Sequence, residues 1–446
     1  MQMRNWVCGV MLAGVMFAQP PTISLQDALD RAKQYGGLIQ SANLAVLQAR
    51  EDRVQARAAT LPNVSALNQF IYTEGNGTPS GVFVANDGVH VYNEQAVVHQ
   101  ELLSVVRHGE INRAMAAEAI AKAKVEVAVR GLNATVIQNY YAIVVAQRKF
   151  ANLQTSVAES QRFLDVTQKQ EKGGEVAHAD VIKAQIDLQQ RQRDLKEAAL
   201  AIEKARIALG VLIFPTFSAD FAVVDDLLEV ADIPTVEEAR AAATSSSPDL
   251  KAAAAGVQEA GWEVSVARYQ FLPSFSLDFF YGIDANQFAA HTDYPTDGAP
   301  IPANAKTLPD LQRTGRQNLG YSAQLTMTVP VWNWGATRSK VKQAELKRDQ
   351  AQLDLSVAQR TLQSNLATAY AELQASRGQL DSLKSSVSLA TESLRLTVLR
   401  YQAGEATALE VVDAQNTVTQ ARNANDDGLA RYRVALANLK MLTGTL

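Results

Sequence analysis

The sequence has almost no cysteine. Cys8 is the only cysteine among 446 residues. It falls within a stretch that has Arg4 near its start, an apolar run from Trp6 to Phe17 and a small residue at its end, a composition typical of a secretory signal peptide. We therefore predict a signal peptide at residues 1–18 and a mature chain without disulfide bonds. Lipidation of Cys8 is the weaker alternative, because no apolar stretch precedes it.

Long apolar runs and an excess of positive charge are also missing. After Phe17 the sequence contains no apolar run of about 18 residues, the length that a membrane-spanning helix requires. An exported chain without such an anchor is periplasmic, secreted or part of an outer-membrane β-barrel. The formal net charge of -4 gives no basic surface, so the composition argues against a nucleic-acid partner.

The motifs that identify common enzymes are absent as well. The sequence contains no HExxH, CxxC or GxSxG motif and no phosphate-binding glycine loop. His90, His99 and His108 recur at a regular odd spacing, which places neighbours on opposite faces of a strand. The carboxylates are spread along polar helical stretches. We therefore predict no enzyme activity, no cofactor and no metal site.

Proline is absent from two long stretches, Ser104 to Lys172 and Trp334 to the C terminus. In the first stretch apolar residues step by four and three, which is the 3.5-residue period of a coiled coil. Glycine then interrupts the pattern, and a returning helix carries apolar residues at sevenfold spacing from Val181 to Leu209. The sequence thus predicts two long helical hairpins with tips near residues 173–177 and 403–407.

The second half of the chain repeats the first. Pro234–Arg240 aligns with Ile23–Leu29, and at the same offset Leu272-Pro273 aligns with Leu61-Pro62. The returning helices also align with one another at a constant offset, which pairs Val181 with Val411. We predict a first structural repeat at residues 22–214, a linker at 215–233 and a second repeat at 234–446. Alternating apolar residues predict two strands in each repeat, at Asn63–Thr73, Val89–Leu103, Phe275–Tyr281 and Leu319–Val329.

Four strands and thin helical hairpins require neighbours. A closed transmembrane barrel needs at least about eight strands, so one chain cannot close a barrel by itself. Either several copies share one barrel, or the strands form a soluble sheet. In both cases long coiled-coil walls bury little apolar surface alone, and the pattern therefore favours an oligomer.

The order and spacing of these features resemble the TolC-like family of outer-membrane efflux and secretion ducts, over essentially the whole mature chain. The similarity rests on the duplicated unit, the two Leu-Pro pairs, the VPVWNWG segment Val329–Gly335, and the tip pattern of Tyr401–Gly404 followed by Val411–Gln415. It implies an α+β membrane protein, a homotrimer with a twelve-stranded β-barrel in outer-membrane lipid and an α-helical tunnel in the periplasm. It also implies a periplasmic adaptor protein at the tips and an inner-membrane transporter that supplies the energy.

The resemblance also implies roles for individual residues. It implies a periplasmic gate made by Asp180, Glu410 and Asp413; from their spacing alone, the last two are better explained as ordinary solvated charges on one helix face. It implies adaptor docking at the tips, whose residues are Gly173, Gly174, Glu175, Gly404 and Glu405. Trp332 and Trp334 follow a strand, where aromatic residues suit a membrane interface. Ala406 departs from the family pattern, in which a basic residue ties the tips shut through the equivalent of Asp180.

One alternative of a different class stays open at this stage. A soluble periplasmic coiled-coil scaffold or adaptor protein with a small β cap would show the same helices and strands. Cell fractionation distinguishes the two hypotheses, because a duct is extracted from the outer membrane as an oligomer and a scaffold is soluble in buffer. The sequence does not indicate the exported substrate.

Overall fold

The computed structural model describes residues 21–72, 90–216, 220–228, 233–286 and 319–445. The predicted signal peptide, part of the predicted linker and most of the loop between the last two strands lie outside these ranges. The first repeat contains β1 (Thr22–Ile23), α1 (Leu25–Tyr35), α2 (Gly37–Ala58), β2 (Asn63–Tyr72), β3 (His90–Leu103), α3 (Val105–Lys172) and α4 (His178–Ile213). After β4 (Ala222–Val223), the second repeat contains α5 (Val236–Ser246), α6 (Pro248–Tyr269), β5 (Ser274–Asn286), β6 (Leu319–Thr328), α7 (Ala336–Gln402) and α8 (Ala408–Thr443).

The predicted duplication is visible in the element boundaries. The bounds of α5 and α6 follow those of α1 and α2 at one constant offset, and α8 begins and ends at the positions that correspond to the two ends of α4. The helix starts also match, because Ser24 with Asp27 and Thr235 with Glu238 each form a capping box at the start of α1 and α5. In a capping box two side chains satisfy backbone N–H groups that the helix leaves open. The first helices of the two repeats therefore begin in the same way.

The chain divides into two compact units, and each unit takes parts of both repeats. The first unit comprises the residues up to Asn43, Lys124–Pro248 and Gln359 to the C terminus, and the second comprises Leu44–Ala123 and Asp249–Ala358. In the described parts of the chain, no helix has an apolar stretch of the length and hydropathy that crossing a bilayer requires.

The second unit contains an antiparallel sheet in the order β2-β3-β5-β6. One face is apolar and open to solvent, with Val64, Phe70, Tyr321, Leu325 and Met327 all exposed. The other face is polar and includes His99, whose Nδ1 lies 2.6 Å from Oδ1 of Asp278 on the neighbouring strand. The alternation predicted for the last strand is therefore present in β6 and weaker in β3, where Glu94 and Gln100 lie on the apolar face.

The first unit has an apolar core where its helices meet the segment between the repeats. β1 pairs in parallel with β4, and Ile23, Phe221 and Leu227 are buried. The Tyr140 hydroxyl donates to the Val224 carbonyl over 2.7 Å, and Arg148 makes two hydrogen bonds, of 2.6 and 2.9 Å, to the Asp225 carboxylate. Residues predicted only as a linker therefore supply a strand and buried side chains to this core.

Candidate functional site at the hairpin tips

Both hairpin tips end their long helix in the same way. Gly174 and Gly404 have φ values of 72° and 78°, in the left-handed region that glycine adopts without a steric cost. The following residues, Glu175 and Glu405, donate their N–H groups to the carbonyls of Gln170 and Arg400 over 2.9 and 2.8 Å. This is the Schellman arrangement, which satisfies the last carbonyls of a helix.

The residues predicted to dock an adaptor lie in these two turns. Gly173, Gly174, Glu175, Gly404 and Glu405 are all exposed. Each turn therefore presents backbone and one carboxylate, Glu175 or Glu405, at the end of its hairpin. Their role in docking stays a prediction.

The second tip has a capping box that holds Glu410. The Thr407 hydroxyl accepts from the Glu410 N–H over 3.3 Å, and Oε1 of Glu410 accepts from the Thr407 N–H over 3.1 Å. Arg400 lies nearby, with Nη1 3.6 Å from Oε2 of Glu410. The hydrogen bond from the Thr407 backbone is the main reason why the pKa of Glu410 lies below its ordinary value. The predicted gate carboxylate is therefore also part of the helix start, whereas Asp413 is exposed one turn further along α8.

The first tip lacks this capping box. Ala177 occupies the position of Thr407 and makes no side-chain hydrogen bond to the start of α4. Asp180, which corresponds to Glu410, thus has no capping partner at this position. Instead, Nδ1 of His178 lies 2.6 Å from Oε1 of Glu171 and links the two helices of the hairpin on an exposed surface.

A shared apolar cluster joins the two tips. The cluster, which we call the tip core, contains Phe163, Leu164, Val181, Ala184, Leu188, Tyr401, Ala408, Val411 and Val412. Tyr401 is buried within it, its ring meets Phe163 edge-on at 5.1 Å, and its hydroxyl donates to Oγ1 of Thr167 over 3.3 Å. Burial raises the pKa of Tyr401, and the negative charge of Asp180 adds to that rise. Asp180 of the first tip therefore acts electrostatically on Tyr401 of the second hairpin.

The position of Ala406 is apolar in both repeats. Ala406 and its counterpart Val176 are half-buried and pack against the tip core. Where the family pattern has a basic residue, this chain therefore has an apolar contact. The tips of one chain are therefore joined by buried side chains.

The structure also reveals functional candidates that the sequence analysis missed. Thr407 could have been found from its three-residue spacing to Glu410, which is the sequence signature of a capping box. Arg191 occupies the one interruption in the alanine series at 184, 198 and 205 on the inner face of α4. Tyr401 was noted only as part of a motif, and its burial could not be inferred from that motif.

Trp332 and Trp334 lie in the second unit, between β6 and α7. They are 76% and 89% exposed, and their ring centroids lie 5.8 Å apart in an edge-on arrangement. Trp334 has a φ of 54°, a left-handed conformation that is uncommon for a bulky residue. The two indoles therefore form an exposed aromatic pair directly after the last strand.

Among the described residues, no three His, Cys, Asp or Glu side chains lie together as a metal-ligand group. The tips carry carboxylates on helix starts and turns together with basic groups, among them Arg400 beside Glu410 and Lys172 at the end of α3. This arrangement places charges of both signs at the end of the two hairpins.

Comparison with known proteins gives a consistent result. The sequence model of the family described as outer membrane efflux protein matches residues 25–213 and 240–445. The cobalt-zinc-cadmium resistance protein CzcC of Cupriavidus metallidurans is 25% identical over 318 residues, which cover 71% of this chain and 68% of CzcC. The outer membrane protein TolC of Vibrio cholerae is 24% identical over 321 residues, with the same two shares.

A solved structure shows the same fold. The outer membrane protein VceC of Vibrio cholerae superimposes with a TM-score of 0.76 at 15% identity, and the match covers 94% of this chain and 96% of VceC. The family match spans most of both repeats, and the fold agrees along nearly the whole chain. The chain therefore belongs to the outer membrane efflux protein family, and it is an outer-membrane efflux channel of a tripartite export system that extends into the periplasm.

Proposed function

We propose that three copies of the chain form a passive exit duct, with one twelve-stranded β-barrel in the outer membrane and a tunnel of helices in the periplasm. The observation that carries the proposal is the four-stranded sheet of the second unit. It has an exposed apolar face, and β2 and β6 have an open edge each within the described residues. An apolar face suits lipid, and open edges must be paired before a sheet can enter a bilayer.

The proposed number of copies rests on the number of strands that each chain supplies and on the family resemblance. Two copies would supply eight strands and three would supply twelve, and both numbers lie within the range of known barrels. The family resemblance favours three. Trp332 and Trp334 are placed directly after the last strand, where exposed indoles would anchor the barrel at the membrane surface.

The periplasmic mouth is proposed at the hairpin tips. In a threefold assembly Glu410 and Asp413 would supply six carboxylates around one axis, with Asp180 of each copy behind them. Such a ring attracts cations and narrows the passage. The adaptor would dock at the exposed turns around Gly174 and Gly404, and the inner-membrane transporter would supply the energy. No catalytic step is proposed for the duct itself.

Fractionation and crosslinking test the proposal. We expect the chain in detergent extracts of the outer membrane as an oligomer that dissociates on heating, and a lysine-reactive crosslinker should trap species up to three chains. A buffer-soluble monomer would reject the duct and support the scaffold, an alternative that the family match does not favour. Single cysteines at Glu175 and Glu405, carrying a photoreactive crosslinker, should capture the adaptor, whereas one at the exposed Glu392 of α7 should not.

A further inference from the structure

A row of polar contacts joins the first hairpin to the second, further from the turns than the tip core. We call it the polar seam; on α3 it comprises Arg148, Asn152, Ser156, Glu159 and Ser160, and on α8 it comprises Gln415, Thr419, Arg422 and Asp426. The contacts are Arg148 to Asp426 (3.2 Å), Asn152 to Asp426 (2.9 Å), Ser156 to Thr419 (3.3 Å), Glu159 to Arg422 (3.6 Å) and Ser160 to Gln415 (3.2 Å).

Arg191 of α4 lies at the end of the polar seam that is nearest to the hairpin tips. Its side chain is 5% exposed, which is unusual for arginine. Nη2 donates to Oδ1 of Asn416 over 2.6 Å, and Nη1 donates to Oγ1 of Thr419 over 3.4 Å. Nε lies 3.4 Å from Oδ1 of Asp187, one turn earlier on the same helix. A second oxygen of Asp187 accepts from the Ser160 hydroxyl over 2.7 Å.

The hairpin fold by itself does not require this charge pair. The alignment of α4 with α8 places Thr417 and Ala421 of α8 at the positions of Asp187 and Arg191. The second hairpin is therefore built without charges at these positions. The pair on α4 serves the contact between the hairpins, because Asn416 and Thr419, which accept hydrogen bonds from Arg191, belong to α8.

The placement of the two charges makes the contact reversible. Asp187 and Arg191 lie on one helix, so they stay paired when α8 moves away, and no buried charge is left without a partner. The second hairpin contributes only neutral groups to this pair, and water can replace each of them at little cost. An apolar seam of the same length would instead expose hydrocarbon to water on separation.

We propose that Arg191, held by Asp187, is a positioning residue that keeps the second hairpin in register with the first while the tip is closed. The polar seam is then the part of the contact between the hairpins that is broken when the tip opens, and the ion pairs Arg148–Asp426 and Glu159–Arg422 and the apolar tip core add to the cost of opening. This inference rests on the proposed function, since it requires a duct whose periplasmic mouth opens and closes.

The first test is single-channel conductance in planar bilayers, measured on purified oligomers that keep their heat-sensitive mobility. Arg191→Met removes the donors to Asn416 and Thr419, and we expect the open fraction to rise about tenfold or more, as the loss of charged hydrogen bonds implies for a two-state equilibrium. Arg191→Lys keeps the charge beside Asp187 and should give an intermediate value. Arg193→Met is the matched control, because Arg193 is exposed on the same helix.

A second test does not depend on removing a buried charge. Ser156 and Thr419 face each other across the polar seam, and a Ser156→Cys/Thr419→Cys pair should form a disulfide under a mild oxidant such as diamide. Cys8 is the only native cysteine, so the introduced pair is the only one that can form within residues 21–445. Oxidation should abolish the spontaneous openings of the channel, and a reductant should restore them. A Leu383→Cys/Gly428→Cys pair, which links α7 to α8 within the second hairpin, should leave the openings unchanged.

The outcomes separate this inference from the proposed function. If the wild-type oligomer forms no channel at all, the duct itself is rejected. If the wild-type channel opens, but Arg191→Met matches it and the crosslink across the polar seam has no effect, the inference alone is overturned. A rise in the open fraction with Arg191→Met but not with Arg193→Met, together with redox-controlled openings of the cysteine pair, supports it.

Discussion

The two hairpin tips have the same backbone but different side-chain chemistry. Gly174 and Gly404 end the long helices with equivalent hydrogen bonds at corresponding positions of the two repeats. At the second tip Thr407 and Glu410 then fix the start of α8, whereas Ala177 leaves the start of α4 without a side-chain cap. The duplication has therefore kept what the turn requires sterically and has let the two helix starts diverge.

The divergence extends to the residue that precedes each turn. Tyr401 of the second tip is buried in the tip core, and its counterpart Glu171 pairs with His178 on the surface. Both hairpins contribute to the tip core, but only the second tip also has a buried aromatic residue and a helix cap, whereas the first has an exposed ion pair. We therefore expect the second tip to be the more rigid of the two, which would hold charges at fixed positions around the proposed mouth.

The largest expected effect comes from removing the aromatic ring of Tyr401 from the tip core. Tyr401→Ala should destabilise the tip by about 3–5 kcal/mol, as for other large aromatic side chains removed from a core. Glu171→Ala, at the equivalent position of the first tip, should cost at most about 1 kcal/mol, because its partner is exposed. Hydrogen exchange of the tip amides measures both. Equal protection in the two variants would show that the tips are not anchored differently.

Tyr401→Phe is the control for that comparison. It keeps the ring against Phe163 and removes only the hydrogen bond to Thr167, so about 1 kcal/mol should be lost. A loss as large as that of Tyr401→Ala would mean that the hydroxyl, and not the burial of the ring, holds the tip.

The next largest effect concerns the left-handed glycine that ends the long helix at both tips. Gly174→Ala and Gly404→Ala should each cost about 1–2 kcal/mol, because a side chain disfavours the left-handed conformation. Gly378→Ala is the matched control: this glycine lies inside α7 with open space around it, so alanine should stabilise the helix slightly. Thermal dissociation of the oligomer reports all three. Unequal losses at the two tips would argue against a common backbone.

A smaller effect should appear when the helix starts are exchanged. Thr407→Ala removes the cap of α8 and should cost about 1 kcal/mol, whereas Ala177→Ser should stabilise α4 by about 1 kcal/mol. The chain already contains a capping box made by a serine and an aspartate, Ser24 and Asp27. In the Ala177→Ser variant, the new serine and Asp180 would have the same residue types at the same spacing. Amide exchange at the start of each helix is the measurement. No gain from Ala177→Ser would show that Asp180 is engaged elsewhere.

The smallest effect is a difference in pH response. The hydrogen bonds with Thr407 lower the pKa of Glu410. The ionised carboxylate therefore stabilises the start of α8 fully at pH values above the ordinary glutamate pKa of about 4.3. This stabilisation is lost as the pH falls through the lowered pKa. The protection of the amides at the start of α8, measured relative to their intrinsic exchange rate at each pH, should therefore decrease in acid. Glu410→Gln, which keeps a capping acceptor but does not titrate in this range, should remove most of this pH dependence. A pH response that persists in the variant would point to another group.

Much of the fold could be predicted because the sequence contains periodic patterns of apolar residues and an internal duplication. The 3.5-residue period indicated α3 and α7, glycine marked both tips, and the duplication placed α5, α6 and α8 from their counterparts. The strand pattern was clear at Leu319–Thr328, where each residue type alternates, and weak at His90–Leu103, where polar and apolar residues share both faces.

Other features depend on contacts between distant segments and left only weak patterns in the sequence. The role of residues 220–228 is one example, because Phe221 and Leu227 are buried only where α3 and β1 meet them. The tip core is another, since Tyr401 and Val181 lie in different repeats. The position of Arg191 was visible as a gap in an alanine series, but its partners on α8 could be identified only from the packing of two hairpins.

The most direct test of the central claim is the ion selectivity of the purified oligomer in a planar bilayer. The claim is that Glu410 and Asp413 line the mouth of an outer-membrane duct. Glu410→Gln/Asp413→Asn removes both charges and keeps the capping box, so the tip stays folded. We predict that the reversal potential of the wild-type channel in a salt gradient is cation-selective and moves toward zero in the variant. An unchanged reversal potential in a folded oligomer would contradict the claim.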